Sequence, residues 1–126
     1  MNALLYIGSV IIILWGIAHL APTRGVVKGF GAISEDNRRI IMMEWIAEGL
    51  TLIFIGVLVL LVVLLDGTGS SVGRWVIMAS AAMLLVMAVL TQMTGARTSI
   101  VAIKICPWVK TLVAVLFFVF ILGSSG

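Results

Sequence analysis

RRIIMMEWIAEGLTLIFIGVLVLLVVLL, residues 38 to 65, opens with two arginines, carries Glu44 and Glu48 one helical turn apart, and continues as an apolar run long enough to cross a bilayer. Residues spaced i and i+4 share a helix face, so both carboxylates stand on one side of the helix start. An ionisable side chain on a membrane helix is costly enough to count as a functional hypothesis by default. The stretch therefore predicts a membrane anchor whose first turns do something besides anchoring.

The composition agrees. Of 126 residues, 63% are hydrophobic and 10% charged, where a soluble domain carries roughly 25% charged residues. The apolar residues gather into four blocks, Leu4 to Leu20, Ile46 to Leu65, Trp75 to Leu90 and Trp108 to Leu122, each near the ~20 residues that span the hydrocarbon core. The expected fold is all-α, a polytopic membrane protein built as an antiparallel bundle of four transmembrane helices in one domain over residues 1–126, with spans at about 2–21, 35–65, 72–94 and 107–123. The first block is not expected to be a signal peptide, because no basic residue precedes Leu4 and no small-residue cleavage site follows the run. Cys106, the single cysteine, cannot form an internal disulfide.

Boundaries follow from local chemistry. Pro22 ends the first span, within which Gly8 and Gly16 share a face on which another helix could approach closely. TRGVVKGFGAI, residues 23 to 33, reads as an ordered loop or an interfacial hook. Ser34 offers an N-cap, with Glu35 and Asp36 at the positive end of the following helix. The turn residues 66–71 make the second and third spans an antiparallel pair. For the fourth, the favoured reading is an interfacial segment to Ile105, a break at Pro107 and a span starting there, which leaves Lys104 and Lys110 at the interface to snorkel; one continuous helix is the alternative.

Basic residues set the expected orientation. Arg24, Lys28, Arg38, Arg39, Arg97, Lys104 and Lys110 flank the first and third links, whereas the second has Arg74 alone. Loops 22–37 and 95–106 are thus expected in the cytoplasm and both termini outside, in a cell (inner or plasma) membrane. His19, Glu44, Glu48, Gln92 and the Lys104 to Lys110 segment then fall in one layer, while the outer half is almost purely apolar.

A site in that layer would be a cytoplasm-facing pocket between the first, second and fourth spans. His19, Glu44 and Glu48 are the candidate proton-handling, catalytic residues, histidine being suited to proton transfer near neutral pH. Trp45, Gln92, Arg97, Lys104, Trp108 and Lys110 are the candidate ligand-binding residues, an aromatic beside carboxylates being one way to hold a cationic amphiphile. The structural alternative is that the glutamates pair with Arg97, Lys104 or Lys110 and tie helices together. With one histidine and no Glu-x-x-His spacing, no metal site is expected, and no cofactor is indicated.

GIAH at residues 16 to 19 before a proline loop, and Glu48-Gly49-Leu50 ahead of a long apolar run, resemble the DoxX-like group of small four-helix membrane proteins. The resemblance covers the first half of the chain and implies a four-helix bundle in a membrane, without implying a reaction. The reading that results is an integral membrane protein that binds a small lipophilic or amphipathic molecule, with proton chemistry on it as the step these residues could carry. A proton- or cation-coupled transporter and a non-catalytic assembly subunit are the alternatives. The bilayer and a small lipophilic ligand are the expected partners, a homo-oligomer is compatible with the sequence, and nucleic acid is not expected.

Overall fold

The computed structural model describes residues 2–124. Their order is α1 (Asn2–Leu20), α2 (Thr23–Gly29), α3 (Glu35–Leu64), α4 (Ser71–Met93) and α5 (Val101–Gly123), with single 3-10 turns at Gly67–Gly69 and Gly95–Arg97. The fold is all-α. α1, α3, α4 and α5 are each long and apolar enough to cross a membrane, which makes this a multi-pass four-helix bundle.

The starts of α3 and α4 are set by hydroxyl caps. Ser34 Oγ accepts from the Asn37 N–H at 3.2 Å, as the sequence leads one to expect, and Ser70 Oγ does the same for Gly73 N–H at the head of α4, at 2.9 Å; each satisfies a donor that has no partner within its helix. α3, at 30 residues, is about 45 Å long. Its first turn is polar, with Glu35 pairing to Arg38 at 3.7 Å and to Arg39 at 3.2 Å. The arginines that open the quoted stretch are thereby engaged with a surface acid.

Three expectations need correction. Residues 23 to 29 are a short helix rather than a loop, entered by Thr23, whose hydroxyl donates to the Leu20 carbonyl at 2.6 Å. The fourth span does not begin at Pro107: α5 runs unbroken from Val101 and holds the proline inside it. A proline removes one backbone donor, which a packed 23-residue helix absorbs. Finally, the short link does not make α3 and α4 close partners. α1 packs mainly on α3 and α4 mainly on α5, with α1 also against α5.

Glycine decides that pairing. A Cβ on Gly16 would stand 2.8 Å from the Gly49 carbonyl oxygen, and one on Gly56 would stand 2.8 Å from the Ser9 carbonyl oxygen, so the backbones of α1 and α3 meet where nothing larger fits. Gly8, expected to share the Gly16 interface, faces Phe117 of α5 instead. The core between the helices is apolar, with Leu5, Ile12, Leu52, Ile77, Leu84 and Phe117 among its buried side chains.

A candidate charged site joining four helices

Among the described residues Ser9, Ser80 and Lys110 are buried polar side chains, and of these Lys110 carries a charge. Lys110 of α5 is fully buried, which overturns the expectation that it snorkels to the interface. Its Nζ donates to Oε1 of Glu48 on α3 and, at 2.9 Å, to Oγ1 of Thr91 on α4. The Thr91 hydroxyl spends its own proton on the Met87 carbonyl at 2.8 Å, so it meets the ammonium with a lone pair. The ammonium, carboxylate and hydroxyl form a hydrogen-bonded chain across three helices.

α1 supplies the fourth member. His19 Nε2 lies 3.8 Å from Glu48 Oε2, the imidazole side chain being 9% exposed and the Glu48 side chain 32%. That distance is an electrostatic contact rather than a hydrogen bond, and Nε2 is buried without a hydrogen-bond partner. The two oxygens of Glu48 are thus divided, one engaged by Lys110 and the other turned toward an unused ring nitrogen.

Trp45, three residues before Glu48 on α3, fixes the imidazole. Its ring stacks on His19 with centroids 4.1 Å apart and planes inclined by 15°, and its indole N–H donates to the His19 carbonyl at 2.8 Å. That carbonyl belongs to the last turn of α1, where no helical donor reaches it. One turn earlier on α1, the Trp15 indole N–H donates to Cys106 Sγ at 3.3 Å, so the lone thiol is a buried packing contact.

The remaining sequence candidates stand apart. Glu44 is exposed one turn toward the helix start and Thr51 donates to the Ala47 carbonyl, so of the two carboxylates expected on one face Glu48 alone enters the cluster. Gln92, Arg97 and Lys104 are exposed, and Trp108, at 70% exposure, looks outward from α5. Gln92 and Trp108 share a surface groove between α4 and α5, on other faces than the charged chain. Thr91 and Trp15 were not singled out as site residues. Thr91 left a trace as a hydroxyl in the last turn of an apolar helix, whereas Trp15 in IILWGIAHL reads as one more apolar residue.

Comparison of the chain with known protein families, curated proteins and solved structures finds no match in any of them.

Proposed function

We propose that the chain is an integral membrane protein that binds a small amphipathic molecule at the His19, Glu48 and Lys110 cluster and handles a proton there. The observation that carries this is the buried His19 Nε2, unpartnered beside the free oxygen of a carboxylate whose other oxygen is engaged. A buried ion pair is a poor way to gain stability, because apolar residues of the same volume do as well or better. A cluster drawing on all four spanning helices therefore suggests a use beyond holding them together.

The chemistry follows from the groups. His19 supplies a nitrogen that can take up or release a proton, and Glu48 Oε2 balances the charge that results. Lys110 offsets the charge of Glu48 so that the site is not a bare anion in hydrocarbon. The Glu48 side chain is the exposed member of the cluster, so a polar head enters along α3 beside Trp45 while its apolar tail stays in lipid. In this reading loops 22–37 and 95–106 face the cytoplasm, and the likeness to the DoxX-like group is one of a small four-helix bundle in a membrane.

Mass spectrometry of organic extracts from the detergent-purified protein tests the proposal. A small amphiphile other than a phospholipid should accompany the wild type and be lost from folded His19→Ala and Glu48→Gln. Identical extracts from all three folded proteins would overturn it.

A further inference from the structure

We propose that the groove between α4 and α5 holds one acyl chain of an anionic phospholipid, whose head group is engaged by Arg97 and Lys104. The groove is lined by Leu85, Val89 and Gln92 of α4 and by Pro107, Trp108 and Thr111 of α5. Its α4 wall follows a helical stripe, 85, 89 and 92, apolar until Gln92. On α5, Lys104, Trp108 and Thr111 lie at i, i+4 and i+7, so the lysine stands one turn beyond the tryptophan on the same face. Arg97 closes the 3-10 turn that follows α4. The groove therefore runs from an apolar slot through an amide and an indole to two cations at one end.

Charge complementarity selects the occupant. Arg97 and Lys104 are both exposed, and neither has a carboxylate partner among the described residues. From Ser71 to Gly123 the sequence contains no acidic residue at all. Of the other cations, Arg38 and Arg39 pair with Glu35 and Lys110 with Glu48, while Arg24 and Lys28 belong to α2, which does not line the groove. No acid on α4 or α5 supplies the matching negative charge, at the depth where the apolar slot meets the polar layer. An anionic phospholipid supplies both parts in one molecule, and tryptophan is a side chain that favours that depth. An acidic peptide would match the cations but leave the slot unfilled.

Native mass spectrometry of the full chain, released from micelles that contain equal amounts of phosphatidylglycerol and phosphatidylcholine, tests this without regard to orientation. Two surface cations favour the anionic lipid by roughly tenfold or more, so the wild type should retain phosphatidylglycerol over phosphatidylcholine by about that factor. Arg97→Gln/Lys104→Gln should bring the ratio close to one. Arg24→Gln/Lys28→Gln, which removes two cations from α2 at the same end of the bundle, should leave it unchanged. Val89→Trp, a bulky group on an exposed groove wall, should reduce retention of either lipid. No preference in the wild type, an equal loss in the α2 variant, or full retention in Val89→Trp would each overturn the proposal.

Discussion

Lys110 of α5 donates from its buried ammonium to the Glu48 carboxylate of α3, a residue 62 positions away in the chain, at the one place among the described residues where the interior carries a full positive charge. The ammonium is withdrawn from water and is tolerated only while the carboxylate answers it.

Removing the carboxylate alone should therefore cost far more than removing both. Glu48→Leu alone, which strands the buried ammonium, should destabilise the protein by about 3 kcal/mol or more, Lys110→Met by less because Glu48 keeps contact with water, and the double variant should recover most of the Glu48→Leu loss. Glu44→Gln, at an exposed position, should stay within about 0.5 kcal/mol of wild type. Reversible unfolding in mixed micelles measures all four, and additive losses in the double variant would contradict the pairing.

The contact between α1 and α3 makes a second prediction. Gly56→Ala places a methyl 2.8 Å from the Ser9 carbonyl oxygen and 2.6 Å from Ile13 Cγ1, which forces the helices apart at a cost of about 1–3 kcal/mol. Gly69→Ala, with nothing within 4 Å of the added carbon, should be near neutral. The same unfolding assay distinguishes them, and equal effects would contradict the close approach.

The buried thiol makes a third. Cys106 is 4% exposed and accepts from the Trp15 indole, and a thiol in apolar surroundings is unreactive. A water-soluble maleimide should leave it unmodified in the folded protein and label it fully after denaturation. Rapid labelling of the folded chain would contradict the burial.

Orientation is tested by single cysteines at positions 2, 28, 69 and 97 in a Cys106→Ser background. Positions 28 and 97 should label from the cytoplasmic side, and 2 and 69 from the other. Labelling of 28 and 69 from one face would contradict the proposed topology.

How far the chain could be read differs from element to element. The four spans were legible because hydropathy is a local property that length alone converts into a crossing, and the Ser34 cap because its partner lies three residues away. That Glu48 meets a cation was among the expectations, but the choice of Lys110 over Arg97 or Lys104 was not. It depends on the rotation of α5, which its packing against α1 and α4 sets. Lys110 turns inward and Trp108 outward, a phase that no local signal in the sequence specifies. Helix pairing was misread for a related reason. A short link suggests that its neighbours pack, yet Gly16, Gly49 and Gly56 let α1 approach α3 more closely.

The central claim is that His19 and Glu48 act as one unit, and the chain's single histidine makes that directly measurable. Nitrogen-15 resonances of the imidazole, followed over about pH 5 to 8 where histidine titrates, report on His19 without assignment. The account predicts that Glu48→Gln changes both the chemical shifts and the titration of that ring, while Glu44→Gln leaves them as in the wild type. Resonances that are the same in all three proteins would contradict it.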